Sequence, residues 1–269
     1  MGMQKWTAIV LAGQRPGADP LASVFGGTIK ALVDLDGEPM ITHVVRALHQ
    51  VPEITDILVL AQEPALLADA VAAGGGARFA VSGKGISTSI KAVAGGGAPW
   101  PVFVTTADHP LLLPDYVTYF LAGVGDADLA VGMVEKQVMM AAYPDNKRTW
   151  LKFRDGHWSG ANLFAMTGPR TAHALDLWAE AEQDRKKVWK LFLHFGPWLA
   201  LRALTRTIGL ADALAKAGRN LGLTARLVPL PFAEAAIDVD KPGDHAQALT
   251  IRAARAIATT QAGRPGPGV

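Results

Sequence analysis

An α/β fold with a mostly parallel sheet is predicted by three features of the chain. Near the N-terminus, Thr7-Ala-Ile-Val-Leu-Ala-Gly13 is a short β-rich apolar run that stops at a glycine, and Val102-Phe-Val-Thr-Thr-Ala-Asp108 is a second run that stops at a carboxylate. Both read as strands buried on two faces that deliver polar groups from their carboxyl ends. Between and after them, apolar runs alternate with segments of helical periodicity, the pattern of βαβ units. Parallel strands of one sheet place their carboxyl ends on the same side, so glycines and a lysine after the first strand could meet Asp108 in one crevice.

The elements follow in order. After the first strand, Gly13 to Thr28 is rich in Gly, Pro and Ala and reads as a loop; Ala31 to Leu35 reads as a short extended piece, closed by the turn pair Asp36-Gly37. Met40 to Gln50 places Ile41, Val44, Val45 and Leu48 on one helical face. A buried strand at Asp56 to Ala61, a helix over Pro64–Ala73, a strand at Arg78–Ser82 and a helix over Gly85–Ala94 come next. Beyond Asp108, Pro114-Asp115 starts a helix expected over Tyr116–Ala122, followed by a strand at Leu129–Val134 and a second one at Val138–Tyr143. From Thr171 to about Asn220 the pattern is almost wholly helical, read as an insert. A strand at Ala225–Leu230, the segment Ile237-Asp-Val-Asp240 and a helix over His245–Thr259 complete a single domain expected over residues 1–260, with 261–269 as a disordered Gly/Pro-rich tail.

Composition narrows the function classes. The chain has 269 residues and 50 % hydrophobic content, enough for a substantial core, and no cysteine, which excludes disulfides, thiol catalysis and thiolate metal sites. A reducing cytoplasm fits, and no secretory signal is visible. A formal charge of +2 argues against a protein that coats nucleic acid. Basic residues outnumber acidic ones between Lys147 and Arg226, a stretch suited to an anionic ligand or surface, though a solvated helix face is the plainer reading. The longest apolar stretch, Val188 to Leu204, is interrupted by Lys190, His194 and Arg202 and falls short of a spanning helix.

The candidate chemistry is that of a triphosphate, which needs backbone N–H donors, a cation and usually a magnesium ion held by oxygens. Gly13 and Gly17 let the backbone approach phosphate without a Cβ, and Lys30 can supply a mobile positive charge. The spacing is neither a Walker loop nor a dinucleotide fingerprint. Asp108 fits helix capping or turn formation as well as metal binding. Asp238 and Asp240 would share a face if a strand runs through both, with Asp240 nearer the end and the better site candidate; Asp244 suits a cap on the last helix. His109, His157, His173 and His194 fit no compact metal site, and the seven tryptophans suit core packing more than base stacking.

Four segments in order, Leu11-Ala12-Gly13, Lys30-Ala-Leu-Val-Asp-Leu-Asp-Gly37-Glu-Pro39, Ala107-Asp108-His-Pro110-Leu-Leu and Ile237-Asp-Val-Asp240-Lys-Pro242-Gly-Asp244, resemble the MobA-like sugar-phosphate and cofactor nucleotidyltransferases. The resemblance implies a Rossmann-like three-layer sandwich of the glycosyltransferase-A type. It implies that the loop at Leu11, Ala12, Gly13, Arg15 and Gly17 cradles an NTP, that Lys30 contacts its phosphates, and that Asp108 and Asp240 bind magnesium. Gly85-Ile-Ser-Thr-Ser89 resembles the segment near base and ribose, with Gly85 and Ser89 as candidates; Ser87 reads equally well as a helix cap. Ser159-Gly160-Ala-Asn162 resembles the strand edge beside the acceptor, giving Gly160 and Asn162. Gln14, Arg15 and Pro16 depart from the usual glycine-rich loop, and the helical insert is absent from the smallest members.

The expected reaction is NMP transfer from an NTP, GTP or CTP, to a phosphate-bearing acceptor with release of pyrophosphate. A glycosyltransferase using a nucleotide-sugar and a non-catalytic nucleotide-binding protein are the alternatives. The insert is expected to cover the acceptor side, although packing within the core or a dimer is the plainer reading of its apolar stripe, and a membrane surface is a further alternative.

Overall fold

The computed structural model describes residues 4–14, 17–183 and 197–262. Arg15 and most of the Gly/Pro-rich tail, residues 263–269, lie outside them, as does the part of the insert from 184 to 196. The first strand, β1 (Trp6–Leu11), is followed by a five-residue helix, α1 (Pro20–Val24), inside what the sequence marks as a loop. Asp19 explains it: its side chain accepts from the Leu21 and Ala22 amides at 2.9 and 3.2 Å, and Pro20 occupies the first helical position. A single 3-10 turn at Lys30–Leu32 leads to the hairpin β2 (Asp34–Leu35) and β3 (Glu38–Pro39). Asp36 and Gly37 both have positive φ, 62° and 84°, which is why the Asp-Gly pair closes it.

The chain then runs through α2 (Met40–His49), β4 (Ile54–Ala61), α3 (Ala68–Ala73), β5 (Arg78–Val81), α4 (Ile86–Val93), β6 (Val102–Thr106), α5 (Pro114–Val124) and β7 (Leu129–Glu135). The segment read as a second strand near Val138 is instead a helix, α6 (Lys136–Ala142). Its Met139, Met140, Ala141 and Ala142 are good helix formers, Met139 is buried, and Val138 and Tyr143 pack against the core beside it. A hairpin of β8 (Leu151–Phe153) and β9 (Gly156–Met166) follows, then α7 (Ala172–Gln183), α8 (Pro197–Leu204), α9 (Leu210–Asn220), β10 (Ala225–Pro229) and α10 (Pro242–Ala262).

One sheet organises these elements, in the order β10-β7-β9-β6-β1-β4-β5 with β8 paired to β9. Every pairing along β10-β7 and β6-β1-β4-β5 is parallel, whereas β9 runs antiparallel to β6, β7 and β8. The sheet is thus mostly parallel, as predicted, with one reversed strand near its middle. β9 was invisible to the apolar-run argument because Gly156, Gly160 and Asn162 punctuate it.

Alternation along β1 separates the two faces. Ala8 and Val10 join a cluster with Met40, Ile41, Val44, Val45 and Leu48 of α2, Val117 and Phe120 of α5, and Ala248 and Ile251 of α10. Ile9 joins Leu58, Leu60, Val102 and Val104 in a second cluster with Ile90 of α4 and Leu175 of α7. Helices therefore cover both faces, giving three layers.

The helical stretch after Thr171 is built into these layers among the described residues. Leu175 is buried in the second cluster, Trp178 lies 5.3 Å from the Phe164 ring, and Lys91 of α4 pairs with Asp176 at 2.5 Å. α9 lies against β10, where Gly218 permits the approach: a Cβ there would stand 2.7 Å from that of Ala225. Among the described residues of this stretch, α8 presents apolar side chains outward, with Trp198 63 % and Leu204 82 % exposed. No helix among the described residues is long and apolar enough to cross a membrane.

Candidate active site

From β1 the chain passes outward to β4 and β5, then returns to the other side of β1 as β6. The strand order reverses between β1 and β6, and in open α/β sheets ligands bind beyond the carboxyl ends at such a point. Both predicted motifs end there. The Ala107 amide donates to the Leu11 carbonyl at 2.9 Å, continuing the β1–β6 ladder by one step, so that Gly13 and Asp108 each follow just beyond its end. The next carbonyl, that of Asp108, accepts from the Val239 amide at 2.9 Å and so docks the segment that carries Asp240.

That segment is not a strand. Ile237–Asp240 follows a 3-10 turn at Ala233–Ala236 and is irregular, which corrects the expectation that Asp238 and Asp240 share one strand face. The two carboxylates engage different cations. Asp238 pairs with Arg148 at 2.5 Å, while Asp240 pairs with Lys30. Asp244 accepts from the Asp240 and Lys241 amides at 3.1 and 3.0 Å, so it reaches back to the start of α10 as a capping residue.

Lys30 is the hub. Its ammonium donates to Asp108 Oδ2 at 2.5 Å and to Asp240 Oδ1, bringing together the three residues predicted to carry the chemistry. Partial burial works to lower the Lys30 pKa, but Asp108 and Asp240 outweigh it and hold the group above its ordinary value, so the ammonium stays charged. Asp108 Oδ1 is buried without a hydrogen-bond partner among the described residues, and Asp240 is 55 % exposed. A buried carboxylate oxygen left unpaired is costly unless something else meets it.

The donor set suits magnesium. No group of three or more His, Cys, Asp or Glu converges among the described residues, and this ion is commonly held by one or two carboxylates with phosphates and water completing the shell. Asp108 and Asp240 fit that description in number and type, with Asp240 on the exposed side.

The first loop is organised by a residue that the sequence marked only as a departure. The Gln14 side chain donates to the Gly17 and Thr28 carbonyls at 3.1 and 2.9 Å and accepts from the Lys30 amide at 3.0 Å. Its backbone exchanges two bonds with the Gln62 side chain, N–H to Oε1 at 3.0 Å and Nε2 to the carbonyl at 3.1 Å. Gly13 is needed where the loop turns past β4 and β5, since a Cβ would stand 2.9 Å from Gln62 Nε2 and 3.2 Å from Ser82 Oγ. Gly17, at φ 98°, has the left-handed backbone that favours glycine. A long-range amide contact of this kind leaves no spacing signature, so nothing in the sequence could have singled out Gln14.

The remaining candidates divide. Ser89 is buried and its hydroxyl donates to the Gly85 carbonyl at 2.6 Å while accepting from the Gly83 amide at 2.8 Å, so it holds the rim loop before α4. Gly160 and Asn162 lie on β9 past its last pair with β6, Val104↔Phe164, toward the carboxyl end of β6 and the Asp108 side. Asn162 has φ 52° at the irregularity in the β7–β9 ladder, a bulge that re-aims this edge. Beneath the rim, His109 is buried and donates from Nε2 to the Glu234 carbonyl at 3.4 Å. Burial lowers its pKa and keeps the ring neutral, a structural role. The Glu234 carboxylate accepts from Tyr143 at 2.6 Å and Tyr116 at 3.4 Å, and burial pushes the Tyr116 hydroxyl up to about 12, so it remains a donor.

A glycine loop, a charged lysine and two carboxylates gather at the switch point of a mostly parallel sheet, the edge at which open α/β folds bind their ligands. The sequence matches the MobA-like NTP transferase domain over residues 8–217, and the chain belongs to that family of nucleotidyltransferases. Among solved structures, it is similar to a hypothetical transferase from Thermus thermophilus, with 28 % identity, a TM-score of 0.76 and coverage of 90 % of this chain and 100 % of the other. CMP:2-keto-3-deoxy-manno-octonic acid synthetase complexed with CTP shares the fold, at 17 % identity and TM-score 0.57, covering 93 % of this chain and 100 % of the other. So does 4-diphosphocytidyl-2C-methyl-D-erythritol synthase from Anaerococcus prevotii, at 10 % identity and TM-score 0.55, covering 93 % and 96 %. No curated protein matches the sequence.

Proposed function

We propose that this enzyme transfers NMP from an NTP to the phosphate of a small acceptor, releasing pyrophosphate. The observation that carries the reading is the Lys30–Asp108–Asp240 cluster at the switch point, a cation and two carboxylates poised where a triphosphate would lie on the Gly13 loop. Leu11, Ala12, Gly13 and Gly17 would hold the phosphates through backbone groups, with Gln14 fixing the loop's shape. Gly85, through the loop that Ser89 ties down, would border base and ribose. Gly160 and Asn162 on the β9 overhang would meet the acceptor.

An acceptor phosphate is already ionised at neutral pH, so attack on the α-phosphorus needs no general base. The acceptor P–O⁻ oxygen forms the new bond as the bond from the α-phosphorus to the β-phosphate oxygen breaks, and the negative charge leaves on pyrophosphate. Lys30 would stabilise charge on the pentacoordinate centre and on the leaving group. A magnesium ion held by Asp108 and Asp240 would supply Lewis-acid polarisation of phosphate oxygens.

GTP and CTP are the first nucleotides to test, the latter because two neighbours of the same fold are named for cytidylyl chemistry. Thermal-shift screening with all four NTPs and magnesium reads the nucleotide, because a ligand that binds the folded state raises its apparent stability. A pyrophosphate assay with candidate phosphorylated acceptors then reads the reaction. Turnover of a nucleotide-sugar in place of an NTP would overturn the proposal in favour of a glycosyltransferase, and NTP binding with no acceptor-dependent pyrophosphate would make the protein a non-catalytic binder.

A further inference from the structure

Asp240 sits on irregular backbone, and the segment Ile237–Asp240 has no ladder to fix it. Its backbone touches the sheet through the Val239 amide on the Asp108 carbonyl. A metal or phosphate site tolerates little positional error, so a carboxylate on such a segment needs side-chain support. Asp244 holds the Asp240 amide from the downstream side, and support from the upstream side comes two residues earlier, at Asp238. Asp238 accepts from Arg148 Nη2 at 2.5 Å, and the same guanidinium donates from Nε to Ser159 Oγ at 3.2 Å. Ser159 is buried on β9, one residue before Gly160. Both members of the ion pair are mostly covered, with side-chain exposures of 16 % for Arg148 and 24 % for Asp238. The loop that carries Arg148 is itself pinned, since Asn146 donates to Gln247 of α10 at 2.9 Å.

We infer that Arg148 is a positioning residue that clasps the Asp238 segment to β9 and thereby sets Asp240 against Asp108. The inference rests on the proposed role of Asp240. An arginine in the basic stretch 147–226 invites assignment to the anionic acceptor, but this guanidinium is turned inward and its charge is matched by Asp238. Its planar fork reaches two acceptors at once, from Nε and Nη2. A lysine ammonium is a single point donor and holds one of them less well. Arg148 thus links the segment that carries Asp240, through Asp238, to the β9 edge where Gly160 and Asn162 lie.

The test compares Arg148→Lys, Arg148→Met and Ser159→Ala with Asp240→Asn in the full-length protein. Melting temperature, kcat, the two KM values and Mn2+ affinity in the presence of a non-hydrolysable NTP are measured. Displacement of a supporting residue typically costs about 10- to 100-fold in metal affinity or activity. Folded Arg148→Lys should therefore lose roughly tenfold in both kcat and Mn2+ affinity, and Arg148→Met more, with NTP and acceptor KM within about twofold. Ser159→Ala, which leaves the ion pair, should show a smaller loss of the same kind. If Arg148→Met fails to fold, Arg148→Lys and Ser159→Ala decide. Native kcat and Mn2+ affinity in folded Arg148 variants would overturn the inference, as would a raised acceptor KM at unchanged kcat, which would make Arg148 a binding group. Failure of the underlying reading is distinguishable: it appears as wild-type turnover in Asp240→Asn.

Discussion

If Asp108 and Asp240 hold the proposed divalent cation, Lys30 competes with it for the same two carboxylates, and replacing the lysine separates their contributions. In the chain alone the Lys30 ammonium spans Asp108 and Asp240, so a cation arriving without nucleotide meets a site whose charge is already partly neutralised. Two unit charges about 4 Å apart interact by roughly 1 kcal/mol in water and about 4 kcal/mol at an effective dielectric of 20. Asp240 is more than half exposed, so the lower figure applies. A divalent ion doubles it to about 2 kcal/mol, roughly thirtyfold in affinity at 1.4 kcal/mol per factor of ten. Lys30→Met should accordingly bind Mn2+ alone about thirtyfold more tightly than the wild type at low salt, with the gap narrowing as ionic strength rises. Turnover should move the opposite way, with kcat falling more than NTP affinity, because the lysine charge is most useful as pyrophosphate leaves. Titration of Mn2+ by paramagnetic resonance without nucleotide gives the first quantity and steady-state kinetics the second. Equal Mn2+ affinity in wild type and Lys30→Met would refute the shared-site reasoning, and a raised KM at unchanged kcat would reduce Lys30 to a binding group.

Asp108→Asn and Asp240→Asn should each lose about a hundredfold or more in kcat while melting cooperatively, and wild-type rates in both would remove them from the reaction. Gln14→Ala removes three side-chain bonds that shape the first loop, so NTP KM should rise about tenfold with kcat little changed; kinetics of the variant against each NTP checks this. Burial lowers the pKa of His109 and of His43 below the ordinary 6.5. The unfolded chain therefore takes up protons first as pH falls, and the stability held by these neutral rings is present above about pH 6.5 and lost on acidification through their folded values. The melting temperature should drop between about pH 6.5 and 5, ahead of carboxylate titration, and His109→Gln should flatten that drop; a wild-type melting temperature constant over this window counts against the assignment.

What the sequence determined by itself was set by local rules. A strand buried on both faces must be apolar along its length, so the runs ending at Gly13 and Asp108 were legible together with the rim they feed. Turn chemistry at Asp36-Gly37 and the helical period of Met40–Gln50 were equally local, and the order of the motifs around Lys30, Asp108 and Asp240 marked the family. The tertiary structure decided what depends on partners far along the chain. Most of Val138–Tyr143 is helical within Lys136–Ala142, with Met139 buried on the core, and β9, despite its glycines, is an antiparallel strand paired to both β6 and β7. Asp238 and Asp240 could be placed two apart from sequence, but their different partners, Arg148 and Lys30, come from 90 and 210 residues away. Gln14 looked like an interruption of a glycine loop and is its organiser, through Gly17, Thr28, Lys30 and Gln62. The physical reason is common to all of them: periodicity encodes which face of an element is buried, while the pairing of polar groups is settled only when the folded backbone brings their donors and acceptors within reach.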